Sequence, residues 1–233
     1  MSPPNDDLDD DVFGRQYFED QSVYRDFSGS DSVVLEDWYA VLLRGIEKHA
    51  GSLIQPGARV LDAGCGFGST AAVFARRGCN VIASDLSEYA LGRAAANCSL
   101  PLANADITAL PFAPASFDAA VAFEVLEHVP NPQDALDELC RVTRSGGLVL
   151  ATTPNPLSIA LPFIDPWSDQ THISVLPRSR WAAMASAAGL DEVRAWTVMT
   201  PPILWRKLPS RVRAFRFPVV GPTTVLVGRR AAP

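Results

Sequence analysis

The sequence contains no hydrophobic run of the roughly 20 residues that a membrane-spanning helix needs, because its longest apolar stretches are broken by proline or glycine. Its N-terminus is acidic where a secretory signal would be basic. The four cysteines, at positions 65, 79, 98 and 140, form no Cys-x-x-Cys pair and have no histidine at zinc spacing. We therefore expect a cytoplasmic protein with reduced core cysteines, no metal site and no integral membrane association.

An excess of positive charge is also missing. The 20 basic and 26 acidic residues give a formal net charge of −6, which argues against a general nucleic-acid-binding protein. The length of 233 residues is sufficient for a core that needs no disulfides. Residues 1–11 contain almost nothing to bury, so we predict a disordered acidic N-terminus followed by a single domain over residues 12–233.

Short apolar segments alternate with helical patterns along most of the chain. Strands are predicted at 60–61, 81–84, 117–124 and 148–152, with a further weak strand just before Asp106, and helices at 33–50, 71–77, from Ser87 onwards and at 132–144. Such alternation predicts βαβ units and a mostly parallel sheet with helices on both faces. A helix after Pro177 and two strands, at 190–198 and 223–229, complete the predicted domain.

A glycine-rich turn follows the first predicted strand, where residues 64–68 read GCGFG. Such a turn lets a ligand approach the backbone and places helix N-terminal amides beside it. By itself, the pattern also fits a purely structural turn. Its third glycine comes one residue earlier than in the Gly-x-Gly-x-x-Gly pattern of nicotinamide-dependent dehydrogenases.

Acidic side chains stand at the ends of four predicted strands, at Asp62, Asp85, Asp106 and Glu124. The position of Asp85 suits hydrogen bonding to both hydroxyls of a ribose. Four carboxylates would repel a pyrophosphate, but they suit a positively charged ligand that carries a ribose and an adenine. S-adenosylmethionine (SAM), with its sulfonium, its ammonium and a single carboxylate, has these features.

Several ordered motifs resemble those of a known family. Residues 60–68 read VLDAGCGFG, residues 105–107 read ADI, residues 124–129 read EVLEHV, and residues 146–150 read GGLVL. In this order they resemble class I SAM-dependent methyltransferases, and within that class the small-molecule subgroup that includes ubiquinone-type O-methyltransferases. The resemblance spans about residues 55–195. It implies a Rossmann-like, doubly wound α/β fold with a seven-stranded, mostly parallel sheet whose last strand is antiparallel.

The resemblance also implies roles for individual residues. Asp85 is expected to bind the ribose, Asp106 the adenine, and Asp62 the methionine end. Glu124 could face the methionine moiety or the substrate, or pair with an arginine. The full predicted set of cofactor-binding residues is Arg15, Asp62, Gly64, Cys65, Gly66, Asp85, Leu86, Asp106, Ile107, Glu124 and Val125.

A catalytic base is less strongly indicated, because positioning alone supplies much of the rate of a methyl transfer. A hydroxyl acceptor can require a base, and histidine suits that task near neutral pH. The chain has three histidines, of which His49 ends the first predicted helix. His172 and His128 are the two candidates, and for each of them a structural hydrogen bond is the alternative role.

An N-terminal helical lid is predicted at 12–50, and substrate-side insertions are predicted at 155–176 and 199–221. The acceptor pocket is expected to be built by residues 13–30 of the lid together with the two insertions. The aromatic residues before the first helix either pack in the core or cover the cofactor. No acidic residue follows Glu192, so the basic segment 206–216 is either a solvated surface or an anion site. The substrate would accordingly be anionic or partly apolar.

We therefore predict transfer of a methyl group from SAM to an oxygen or nitrogen of a small metabolite, in biosynthesis or tailoring. A non-catalytic SAM-binding regulatory protein and, less favoured, a NAD-dependent dehydrogenase remain as alternatives. An RNA methyltransferase is disfavoured by the acidic net charge and by the absence of an Asn/Asp-Pro-Pro-Tyr-type motif.

Overall fold

A computed structural model describes residues 12–21, 32–51, 53–158, 169–199, 215–217 and 221–232. The predicted N-terminal tail and most of the two substrate-side insertions lie outside these residues. The helices are α1 (Ser32–Ala50), α2 (Ser69–Arg76), α3 (Glu88–Asn97), α4 (Pro132–Val142) and α5 (Arg178–Ala187). The strands are β1 (Arg59–Ala63), β2 (Asn80–Asp85), β3 (Leu102–Asn104), β4 (Phe117–Phe123), β5 (Thr143–Pro154), β6 (Leu190–Met199), β7 (Phe215–Phe217) and β8 (Thr223–Arg230).

The strands form one sheet in the order β3-β2-β1-β4-β5-β8-β6-β7. The first five strands in this order pair in parallel, whereas β8 runs antiparallel to both β5 and β6. The predicted doubly wound, seven-stranded sheet with an antiparallel last strand is confirmed. The three-residue strand β7 adds an eighth strand at the edge, antiparallel to β6.

The core lies on both faces of this sheet, because successive side chains of a strand point to opposite faces. In β1, Val60 packs into the cluster that contains α1 and α2, whereas Leu61 packs into the cluster that contains α4 and α5. Val121 and Ala122 of β4 divide between the two faces in the same way. Central parallel strands are buried on both faces, which explains why they read as continuous apolar runs.

The boundary between α4 and β5 differs from its prediction. Helix α4 ends at Val142, and β5 begins at Thr143, before the predicted start at 148. Phe117 of β4 pairs with Thr143 of β5, and Ala119 pairs with Leu148 after a shift in register. Gly146 and Gly147 therefore lie inside an irregular part of β5. The predicted capping role of Ser87 is confirmed, because its hydroxyl accepts a hydrogen bond from the Ala90 amide at the start of α3.

The N-terminal segment contains a short π-helical turn at Tyr17–Gln21, which packs against the glycine-rich turn and α3. The ring of Phe18 lies 5.1 Å from that of Phe67 in the glycine-rich turn. Tyr17, Phe18 and Phe67 are all buried and form a third apolar cluster with Ala90. No helix in the described part of the chain combines the length and the apolar character needed to cross a membrane.

Candidate active site

The carboxyl ends of the parallel strands bring the predicted acidic residues to one edge of the sheet. Asp62 lies near the end of β1, Asp85 ends β2, and Glu124 directly follows β4. Because β1 pairs with both β2 and β4, these three carboxylates come from neighbouring strands. Ligands of open α/β sheets bind at this edge.

The glycine-rich turn is fixed by β2 on one side and by Val125 on the other. Gly64 has a φ of +76° and donates its amide hydrogen to the Ser84 carbonyl at 2.7 Å. A Cβ atom at this position would lie 2.4 Å from Val125 Cγ2, so only glycine fits. Cys65 is buried, and its amide also donates to the Ser84 carbonyl. The structure therefore places Val125 and the Cys65 side chain where they support the turn.

Asp85 is held in place by two backbone amides. Its Oδ2 accepts a hydrogen bond from the Gly66 amide at 2.7 Å, and its Oδ1 accepts one from the Ser87 amide at 2.9 Å. The residue is only 9% exposed, and burial raises its pKa while the amides of Ser87 and Gly66 act in the opposite direction. Each carboxylate oxygen keeps further accepting capacity. Leu86 beside it is 44% exposed and offers an apolar surface at the same edge.

Asp62 and Glu124 contrast with Asp85, because their buried oxygens lack partners. Neither Asp62 oxygen makes a hydrogen bond, and neither does Oε1 of Glu124. Burial raises the pKa of both groups to about 7; the nearby Asp85 adds to the effect on Asp62. The Ala71 amide weakly opposes the shift of Asp62, and Thr152 weakly opposes that of Glu124. Glu124 also has a φ of +55°, a strained conformation typical of functional sites.

The predicted adenine-binding residues follow β3. Oδ1 of Asp106 accepts hydrogen bonds from both the amide and the hydroxyl of Thr108 at 2.8 Å, and the residue is exposed. Ile107 is buried in the core cluster on the α4 side of the sheet. The side chain of Ile107 is therefore a core residue, and only its backbone remains available to a ligand.

Arg15 lies in the N-terminal segment with a side chain that is 73% exposed. Its Nε donates to Glu19 Oε1 at 3.0 Å, and its guanidinium lies 5.9 Å from the centre of the Tyr89 ring. Binding of the methionine carboxylate of SAM by Arg15 stays a prediction. It would require the Arg15 guanidinium to leave Glu19 or to bind both carboxylates.

A second group of side chains gathers beyond β4, in the 3₁₀ turn Leu126–His128. Glu127 is fully buried, and neither of its oxygens has a hydrogen-bond partner. Burial and the neighbouring Glu124 raise the pKa of Glu127 well above its ordinary value. Within the described ranges, no lysine or arginine pairs with Asp62, Glu124 or Glu127, so the edge carries unbalanced buried acid groups.

The two candidate histidines meet in this group. The rings of His128 and His172 lie 4.7 Å apart, and Phe13 and Tyr17 pack edge-on against His128. Nδ1 of His128 lies 2.8 Å from the Thr171 hydroxyl. Burial and the nearby His172 lower the pKa of His128 to about 4, so its ring is neutral at pH 7. The structure thus brings both predicted catalytic residues together.

Asp169 connects the loop after β5 to this group, a role that the sequence interpretation did not assign. Its Oδ1 accepts hydrogen bonds from the Thr171 amide at 2.9 Å and hydroxyl at 2.6 Å. Its Oδ2 lies 3.4 Å from the Tyr17 hydroxyl and 3.9 Å from His172 Nε2. In the sequence, the Asp-x-Thr spacing of Asp169 and Thr171 could have indicated this role, because such a spacing favours a turn closed by a side-chain hydrogen bond.

The same group is the set of side chains in the described residues that could hold a metal ion. Glu127, His128 and His172 each offer one donor atom, and these atoms all lie within 4.8 Å of one another. A carboxylate and two imidazoles are donors that divalent transition metals accept. The prediction of no metal site was based on the spacing of the cysteines alone. Because it did not include Glu127, His128 and His172, it stays a prediction.

Known proteins with similar sequences are methyltransferases. Residues 61–151 match the methyltransferase domain family. The chain is 36% identical over 117 residues to 24-methylenesterol C-methyltransferase 2 of Oryza sativa subsp. japonica, covering 45% of this chain and 32% of that protein. It is 37% identical over 117 residues to a ubiquinone biosynthesis O-methyltransferase of Azoarcus sp. (strain BH72), covering 47% and 48%. The matches thus span about a third to a half of these relatives.

The fold agrees with solved structures as well. A SAM-dependent methyltransferase from Thermotoga maritima, described as a possible histamine N-methyltransferase, superposes with a TM-score of 0.67 at 17% identity, covering 85% of this chain and 92% of that one. The fold, the glycine-rich turn and the acidic residues at the strand ends are together those of an α/β domain that uses SAM as its cofactor. Residues 61–151 thus match a methyltransferase domain, and the chain has the fold of SAM-dependent methyltransferases.

Proposed function

We propose that the chain transfers a methyl group from SAM to an oxygen or nitrogen atom of a small metabolite. The observation that carries this proposal is a set of buried carboxylate oxygens without hydrogen-bond partners, namely both oxygens of Asp62 and Oε1 of Glu124, beside the glycine-rich turn. Orphaned buried acid groups are costly unless a proton or a cationic ligand compensates them. SAM, with a sulfonium and an ammonium group, is a cofactor of the required charge.

The residues of this edge fit the parts of SAM. Asp85, held by the amides of Gly66 and Ser87, would accept the ribose hydroxyls, and exposed Leu86 would lie against the adenosine. Asp106 would accept a hydrogen bond from the adenine amino group. Asp62 and Glu124 would face the cationic end. When bound, SAM supplies a methyl group activated by the positive sulfur.

The acceptor would bind beyond β4, between the histidine cluster and the N-terminal segment. Phe13 and Tyr17 pack against His128, while Phe18 of the same segment packs against Phe67 of the glycine-rich turn. One segment thus touches both the cofactor turn and the candidate catalytic cluster. This supports its predicted role as a lid, which would exclude water from the reacting groups. The four described cysteines are free thiols, which supports a reducing, cytoplasmic compartment.

Calorimetric titration of the purified protein tests the cofactor. We expect SAM and its demethylated product, S-adenosylhomocysteine, to bind at micromolar levels, and NAD(H) to give no heat. Binding of NAD(H) alone would contradict the proposal. A subsequent screen of phenols, catechols and amines separates the enzyme from the alternative of a non-catalytic SAM-binding regulator, because the regulator would bind SAM without turnover on any acceptor.

In that screen, His172→Ala should lower turnover more than it lowers SAM affinity. His172 stands at the acceptor side of the cluster, against the His128 ring and near Asp169. Equal turnover in the wild type and the variant would assign His172 a structural role.

A further inference from the structure

An ion pair on α4 holds the loop that connects β3 to β4. Arg141 donates from Nε to Glu138 Oε1 at 2.5 Å and from Nη2 to Glu138 Oε2 at 2.8 Å. Both members of the pair also bind the loop backbone. Glu138 Oε2 accepts a hydrogen bond from the Leu110 amide at 2.7 Å. Arg141 donates to the carbonyls of Leu110 at 2.9 Å and Phe112 at 2.7 Å. The N–H groups of a planar guanidinium have a fixed arrangement, so these bonds set the position of Leu110 relative to α4.

A tight turn connects Leu110 to Asp106. Oδ1 of Asp106 accepts hydrogen bonds from the amide and the hydroxyl of Thr108, and its carbonyl accepts one from the Ala109 amide at 3.0 Å. The side chains of Ile107 and Leu110 are buried in the same core cluster. Asp106 itself is exposed, and its Oδ2 has no hydrogen-bond partner among the described residues. The position of the Asp106 carboxylate therefore depends on where Leu110 is held.

The ion pair lies away from the edge where the cofactor is proposed to bind. The loop runs from the carboxyl end of β3, which Asp106 follows, to the amino end of β4. Arg141 is in the last turn of α4, two residues before β5 begins. Its carbonyl accepts a hydrogen bond from the Ala115 amide, two residues before β4 begins. Ligands of such sheets bind beyond the opposite, carboxyl ends of the strands. We therefore expect Glu138 and Arg141 to affect a ligand through the loop and not by contact.

We propose that Glu138 and Arg141 are positioning residues that hold the Asp106 carboxylate against the amino group of the adenine, and that they thereby select a ligand that carries this group. The inference rests on the proposed function, in which Asp106 accepts a hydrogen bond from that amino group. An ionised carboxylate only accepts hydrogen bonds, so its free Oδ2 suits an N–H donor. The selection needs a fixed carboxylate, because a hydrogen bond weakens steeply when its distance and angle are poor.

Two ligands that differ in this amino group test the proposal. The probes are S-adenosylhomocysteine and its analogue with purine in place of adenine, and calorimetry gives the ratio of their dissociation constants. We expect wild-type protein to bind S-adenosylhomocysteine on the order of 10-fold more tightly than the analogue. Asp106→Ala should bring the ratio to about 1, and Arg141→Met should lower it to about 3 or less. Arg141→Lys is a milder variant that keeps the charge but not the forked donors, and it should give an intermediate ratio.

Arg77→Met is the matched control. Arg77 donates to Glu47 at 2.9 Å in an ion pair whose side chains are similarly exposed, but no hydrogen bond joins it to the loop. This variant should keep the ratio of the wild type. A structural role of Arg141 would weaken the binding of both probes by the same factor, so an unchanged ratio in Arg141→Met and Arg141→Lys would overturn the proposal. Equal binding of the two probes by the wild type would also overturn it, whereas binding of neither probe would contradict the proposed function.

Discussion

The proposed site has a cofactor half and an acceptor half, and Asp85 in the first differs from Glu127 in the second in its hydrogen bonds. In the cofactor half, formed by β1, β2 and the glycine-rich turn at 64–68, Asp85 accepts hydrogen bonds from two backbone amides. In the acceptor half, formed by residues 124–128 and 169–172, Glu127 is fully buried without a partner for either oxygen. A partnered carboxylate is a preformed binding group, whereas an unpartnered one is stable in the apo protein mainly when protonated. Asp85 is thus preformed for binding, whereas Glu127 in the acceptor half, like Asp62 in the cofactor half, lacks hydrogen-bond partners.

Gly64 and Val125 meet at the boundary between the two halves. A side chain added at Gly64 should have the largest effect on the free energy of unfolding. Gly64→Ala places a methyl group 2.4 Å from Val125 Cγ2 at a φ of +76°. We expect a loss of roughly 3 kcal/mol in the free energy of unfolding, measured by urea denaturation. Gly146→Ala is a matched control, because Gly146 has a φ of +70° but open space around its Cβ position. Equal losses in both variants would contradict the contact, and adding Val125→Ala should recover part of the Gly64→Ala loss.

Removing the preformed acceptor of the cofactor half should weaken SAM binding. Asp85→Ala deprives the Gly66 and Ser87 amides of their acceptor and removes the proposed ribose contact. We expect a loss of about 1.5–3 kcal/mol in binding free energy, measured by calorimetry, with the fold retained. Asp191→Ala, at an exposed position of β6, is the control and should bind SAM as the wild type does. Unchanged affinity in Asp85→Ala would exclude it as the ribose acid.

The unpartnered carboxylates predict a pH dependence of apo stability. Burial raises the pKa of Glu124 from 4.5 to about 7, so the folded state binds more protons than the unfolded state between these values. Stability from this group therefore falls as the pH rises through that window. Relative to Glu124→Gln, the wild type should lose on the order of 1–3 kcal/mol between pH 5 and 7. The exposed Glu88→Gln variant should follow the wild type, and a pH-independent difference for Glu124→Gln would contradict the account.

The smallest effect is expected at the link between the N-terminal segment and the acceptor half. Tyr17→Phe removes a long hydrogen bond, 3.4 Å from Asp169 Oδ2, but keeps the ring packed against Phe13 and His128. We expect a change of about 0.5 kcal/mol or less in unfolding free energy, measured by urea denaturation. A loss above about 2 kcal/mol would show that the hydrogen bond, and not ring packing, holds this segment in place.

The sequence predicted where Asp85 and the glycine-rich turn lie in the fold, because local patterns determine these positions, and their binding roles stay predictions. Asp85 and the glycine-rich turn follow from strand ends and glycine spacing, and both lie where a ligand of this fold binds. The acceptor half depends on contacts between residues far apart in the chain, such as His128 with Thr171 and Tyr17 with Asp169. Hydropathy patterns carry no information about such contacts. The same limit explains the late predicted start of β5, where pairing with β4 extends the strand through two glycines.

A crystal structure with S-adenosylhomocysteine tests the central claim most directly, because it shows both halves around one ligand. The account predicts the ribose hydroxyls on Asp85, the homocysteine amine near Asp62 and Glu124, and the sulfur directed toward the side of the site that carries His128. A ligand whose ribose makes no contact with Asp85, or whose sulfur lies on the side away from His128, would contradict it.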